Sequence, residues 1–123
     1  MKNINNIIAV FAGGGIGAIL RYGVSNTVKT NLNGFPIATF LINVVGCFLI
    51  GFLYNLIKLE STTLRFFIIV GLLGGFTTFS TFGNETYQLI NSGRYNTAFF
   101  YVILSNITSI ISVYAGAKIS YLF

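Results

Sequence analysis

Gly74-Gly75-Phe76-Thr77-Thr78-Phe79-Ser80-Thr81-Phe82-Gly83-Asn84-Glu85 sets glycines, hydroxyls, phenylalanines and a carboxyl group inside a chain otherwise apolar enough to sit in lipid. Backbone that departs from a clean helix at membrane depth is tolerated only against protein or a water-filled path. Polar groups at that depth mark substrate or ion pathways. This stretch is where the function is expected to lie.

Composition sets the class around it. The 123 residues are 54% hydrophobic and only 7% charged, against about 25% charged in an ordinary soluble domain. So short and apolar a chain cannot cover itself with a wetted surface, and its length allows one domain. There is no His or Asp, and the acids are Glu60 and Glu85. A His-based triad, a His metal site and a hydrolytic carboxylate pair are therefore excluded. Cys47 is alone, which rules out an intrachain disulfide, and it reads as a small packing residue. The net charge of +5 is spread over cations at the ends of apolar segments. That is the pattern of membrane-flanking anchors and not of a nucleic-acid patch.

Charges divide the chain into uncharged runs at 3–20, 36–57, 66–84 and 95–117. Each is close to the roughly 20 residues that cross a hydrocarbon core as a helix. The reading is a single four-helix transmembrane domain over 1–123, with approximate spans 3–29, 36–58, 64–91 and 95–120. Pro36, the sole proline, fits the start of the second helix. Lys2 followed by an apolar run is signal-peptide-like, but the glycines and Arg21 that follow fit a retained first helix better.

Orientation is barely specified. One side of such a bundle holds Lys2, Lys58, Arg65 and Lys118; the other holds Lys29 and Arg94, with Arg21 near the end of the first span. Lys/Arg bias in short loops sets orientation, so either insertion is weakly controlled or the chain inserts both ways and pairs head to tail. Close helix approach is signalled by the GxxxG pairs Gly13/Gly17 and Gly71/Gly75. No strand precedes the glycine run, so a nucleotide-binding loop is rejected.

The polar residues inside the spans each have a structural and a functional reading. Asn43 either bonds a neighbouring helix or offers an N–H to a passing anion. Tyr101, Ser105, Ser109 and Ser112 share one face of the fourth span, where serines either bond back to their own helix or form a polar stripe. Phe79 and Phe82 are three residues apart, on one helical face, and either pack or present positive ring edges. Such edges would hold an anion firmly enough to enter and weakly enough to leave. Arg21 either snorkels or shapes a positive mouth. Glu85 either closes the span or pairs with a cation, and a lone acid makes proton-coupled pumping a thin reading.

These residues carry a family signature. The chain resembles the CrcB/Fluc family of small bacterial fluoride channels through Gly14-Gly15-Ile16-Gly17-Ala18 and Arg21-Tyr22, through the run from Thr39 to Gly51 centred on Asn43, and above all through Gly74 to Phe82 with Glu85. Cys47 stands where serine is frequent in that family. The resemblance implies an all-α membrane protein of four transmembrane helices, the third broken near its middle, in an antiparallel dual-topology homodimer. It implies a passive, fluoride-selective channel in the bacterial plasma membrane that exports cytoplasmic fluoride and protects the cell, with no enzymatic activity and no nucleic-acid partner. By the same resemblance, Asn43, Phe79, Phe82, Ser80, Thr81, Tyr101, Ser105 and Ser109 form the fluoride pathways. Arg21 shapes a vestibule and Glu85 joins a hydrogen-bonded network. Backbone carbonyls of Gly74 and Thr77 from both copies hold a structural Na+ at the dimer interface.

Three rival classes remain to be weighed. A small multidrug-type transporter needs an acid deep in its first span, and this span has none. A purely structural subunit would pass no ions. An intramembrane enzyme lacks any nucleophile–base pair.

Overall fold

The computed structural model describes residues 2–29, 34–57 and 62–123, apart from the side chain of Lys2. The charge balance drawn on Lys58, and the acid Glu60, lie outside the described residues, as do 30–33 of the first connection. Four helices, Asn3–Thr27, Ile37–Leu56, Thr62–Asn91 and Tyr95–Ser120, are long and apolar enough to cross a membrane.

Helix α1 runs Lys2–Thr27 and α2 runs Ile37–Leu56. Pro36 stands at the α2 N-cap, and its carbonyl accepts the Phe40 N–H at 3.1 Å. Its missing N–H costs nothing there, because the first N–H groups of a helix have no intrahelical partner. The third span is composite. Its first half, α3 (62–76), begins with an α turn at Thr62–Arg65, widens into π winding over Phe66–Leu73 and closes with an α turn at Gly74–Phe76. After an interruption, α4 covers Phe79–Asn91, and α5 covers Tyr95–Ser120.

The α4–α5 connection is a tight reversal. Arg94 N–H bonds to the Leu89 carbonyl at 2.9 Å and Gly93 N–H to the Ile90 carbonyl at 3.0 Å. This pair of bonds is the Schellman closure, which needs a left-handed residue. Gly93, at φ 76°, supplies it.

The bundle is built from pairs of parallel helices held at backbone distance. In the first pair, a methyl group on Gly13 would collide with the Phe67 carbonyl, and one on Gly17 with the Leu72 carbonyl. One on Gly71 would lie 2.9 Å from the Val10 carbonyl. The two GxxxG stripes therefore face each other across α1 and α3 within one chain. In the second pair, Gly51 abuts the Val113 carbonyl and Gly116 the Phe48 carbonyl. Lipid offers no hydrophobic gain for helix association, so such close van der Waals contact takes its place. Asn55 adds a polar tie, donating to the Ser120 hydroxyl at 3.1 Å.

The break moves α4 off α1 and onto the second pair. There Phe82 and Leu89 pack with Ala98 and Tyr101, and Phe35, Phe40 and Val102 flank them.

Candidate functional site

The interruption falls at Thr77 and Thr78, both extended, with φ/ψ of −75°/157° and −151°/119°. Two extended residues end one helix and begin another. Backbone groups at such a break need partners, and Asn43 of α2 supplies them. Its Oδ1 accepts the Thr78 N–H at 2.8 Å, and its Nδ2 donates to the Thr78 carbonyl at 3.0 Å. The structural reading of Asn43 is thus realised. An amide carries a second N–H, and that one has no partner among the described residues.

Thr78 is the hub of the break. It is buried, and its side chain caps α4 by accepting the Thr81 N–H at 3.2 Å. Its hydroxyl donates to Thr81 Oγ1 at 3.0 Å and lies 3.4 Å from Ser80 Oγ. These bonds leave carbonyls behind. In a continuous helix the Thr78 N–H would serve Gly74 and the Thr81 N–H would serve Thr77; here they serve Asn43 and the Thr78 hydroxyl. The carbonyl oxygens of Gly74 and Thr77 have lost their helical donors. They are neutral, hard oxygen ligands of the kind that suit Na+. Among the described residues no cluster of His, Cys, Asp or Glu could hold a metal ion.

Phe79 and Phe82 stand side by side, with ring centroids 5.4 Å apart and planes at 39°. Their surroundings differ. Phe79 is 79% exposed on the isolated chain, whereas Phe82 is 7% exposed and leans on Tyr101 at 5.0 Å. Tyr101 is 0% exposed and is held edge-on by Phe35 at 5.3 Å. Its hydroxyl donates to Glu85 Oε2 at 2.7 Å, and Thr39 Oγ1 donates to Glu85 Oε1 at 2.9 Å. Both carboxyl oxygens are thereby engaged, and α2, α4 and α5 are tied together behind Phe82.

In front of Phe82 lies a cavity of about 310 Å³. Asn43 and Cys47 line it from α2, Gly74, Thr77 and Thr78 from the break, Phe79 and Phe82 from α4, and Ser105, Asn106 and Ser109 from α5. Gly46, Ile50, Ile69 and Leu73 complete the wall. No Lys, Arg, Asp or Glu contributes to it among the described residues. The Ser105 hydroxyl is buried without a hydrogen-bond partner among them. A buried hydroxyl left in that state costs free energy unless a guest or water satisfies it.

The structure therefore brings Asn43, Phe79, Phe82, Ser105, Ser109, Gly74 and Thr77 to one space. Ser80 and Thr81 lie outward on the first turn of α4, and Tyr101 lies behind Phe82; none of these three lines the cavity. Arg21 is half-buried on α1, a turn past Gly17, whose backbone abuts Phe76. That puts it at the level of the break and outside the cavity wall. Sequence reasoning missed the parts of Thr39, Thr78 and Asn106. Thr78 alone left a signal, as a hydroxyl residue placed to cap a resumed helix.

The cavity wall holds no nucleophile–base pair among the described residues. It can surround a small anion with an amide N–H, hydroxyls and ring edges.

Comparison with known proteins points the same way. The family model described as CrcB-like protein, Camphor Resistance (CrcB), matches residues 8–117. The fluoride-specific ion channel FluC of Phocaeicola vulgatus is 39% identical over 120 residues, covering 95% of this chain and 99% of the relative. Its namesake from Hydrogenobaculum sp. is 43% identical over 114 residues, covering 90% and 93%. That of Desulfotalea psychrophila is 40% identical over 125 aligned positions, covering 100% and 98%.

Proposed function

The chain belongs to the CrcB-like family, and from that premise we propose that it is a fluoride-selective passive channel of the cell membrane, letting cytoplasmic fluoride leave down its electrochemical gradient. The observation that carries this reading is the uncharged polar cavity at the helix break. Fluoride is small and strongly hydrated, so a path must replace its water with several donors. A fixed cation there would hold the ion too tightly to conduct, whereas neutral donors and ring edges permit both binding and release.

In this reading the free N–H of Asn43 and the unpartnered hydroxyl of Ser105 receive the ion. Ring edges of Phe79 and Phe82 flank it, and Ser109 continues the track. Ser80 and Thr81 extend the polar surface outward along α4. Tyr101 and Glu85 act behind Phe82, fixing the ring. Arg21 adds positive potential at the level of the break.

The functional unit in this reading is an antiparallel homodimer in lipid. The near-balanced loop cations support it. So does the break: the freed carbonyls of Gly74 and Thr77 offer too few ligands in one chain for Na+, and a second copy would complete the set. Sodium bound there would be a structural tie between copies. The role in the cell follows from acid chemistry. Hydrofluoric acid is weak and enters neutral from acidic surroundings; it dissociates in the cytoplasm, and a negative-inside potential drives the anion out.

Expression in a bacterium stripped of its own fluoride exit tests this role. Growth in fluoride medium should be restored by the intact chain. Abundant membrane-inserted protein without restored growth would contradict it.

A further inference from the structure

Cys47 is a free thiol, half-buried, on the cavity wall. The helix register places it beside the polar stripe: Gly51, one turn on, abuts Val113, and Ser109 lies one turn before Val113. A lone thiol in a dry packed core would be inert. This one shares its space with Ser105, a residue only 6% exposed whose hydroxyl has no hydrogen-bond partner among the described residues. An unsatisfied buried hydroxyl beside an open cavity points to a polar guest in that space. The thiol is then on the wall of that space.

We propose that Cys47 is a binding site for soft, thiophilic metal ions, and that occupancy there closes the cavity to fluoride. The closure rests on the channel reading; the metal binding does not. Thiolate sulfur is the soft ligand that captures such ions, and oxygen donors cannot substitute for it. For mercury the step is Cys–SH + Hg2+ → Cys–S–Hg+ + H+. A sulfur–mercury bond forms, the S–H bond breaks, and the proton goes to water in the cavity; no electrons are transferred. The product places a heavy atom and a fixed positive charge in a space otherwise free of Lys, Arg, Asp and Glu. Bulk narrows the path, and the charge holds an anion that must leave to conduct.

The test uses the whole protein in liposomes, in chloride-free buffer, with Hg2+ on both faces. Intact-mass measurement should find one mercury adduct on the native chain and none on Cys47→Ser or Cys47→Ala. Fluoride efflux through the native protein should fall at least about tenfold, ~1.4 kcal/mol at the limiting step. Excess small thiol should restore it. Each variant is compared with itself untreated and should show no such fall. No adduct on folded native protein would overturn the proposal, as would an adduct that leaves efflux unchanged. If untreated protein passes no fluoride, the channel reading fails, and adduct formation alone still decides whether Cys47 is a metal-binding thiol.

Discussion

At the scale of single residues, Asn43 carries the heaviest demand, because one amide both closes the broken backbone and faces the cavity. Asn43→Asp keeps an acceptor for the Thr78 N–H but sets an oxygen against the Thr78 carbonyl. We expect lower thermal stability, by about 1–3 kcal/mol for a buried acceptor without a donor, together with suppressed fluoride efflux. Unchanged melting and unchanged flux would show that the pair with Thr78 is dispensable. Phe82→Ile separates ring from volume. The side chain is buried against Tyr101, so an apolar replacement should fold, while loss of the ring edge should cut flux at least about tenfold. Full flux from the folded variant would assign Phe82 to packing alone. Asn43 and the paired phenylalanines stand out in the sequence because amides and hydroxyls are expensive in lipid. Thr39 does not, since nothing in its neighbourhood marks it as the partner of a carboxyl group 46 residues away.

Among elements, the third span is the least regular and the most consequential. Its break lies at Thr77 and Thr78, within the stretch where the family resemblance implies it. The π winding over Phe66–Leu73 leaves no such trace. That run is apolar at every position, so no periodicity distinguishes its pitch from that of an ordinary helix. The hydroxyl stripe on the fourth span is readable by spacing. Which of its members face open space is not, because Phe82 covers Tyr101 only in the folded bundle. The α1–α3 seam is legible as GxxxG and yields a direct prediction. Gly17→Leu drives a side chain into the Leu72 carbonyl and should destabilise the bundle by at least about 1–3 kcal/mol. Gly15 faces open space, so Gly15→Ala should be neutral in the same thermal-denaturation assay. Equal melting of the two variants would mean that the seam does not hold the pair together.

For the whole molecule, the four-helix membrane class is readable from gaps between charges, because lipid leaves few alternatives for uncharged runs of that length. Partner and orientation belong to assembly and not to one chain. The balanced cations predict that a reporter fused to the C-terminus is found on both sides of the membrane. Adding Lys to the 91–94 turn should drive the population toward one orientation and lower fluoride protection, since antiparallel pairs become scarce. A native chain found on one side only would exclude the antiparallel homodimer.

The central claim is selective conduction by this chain without help. Ion efflux from liposomes containing only the purified protein, read with fluoride and chloride electrodes in parallel, tests it most directly. Fast fluoride loss with chloride retained is the predicted result. Well-folded protein that releases no fluoride, or releases both ions together, would contradict it.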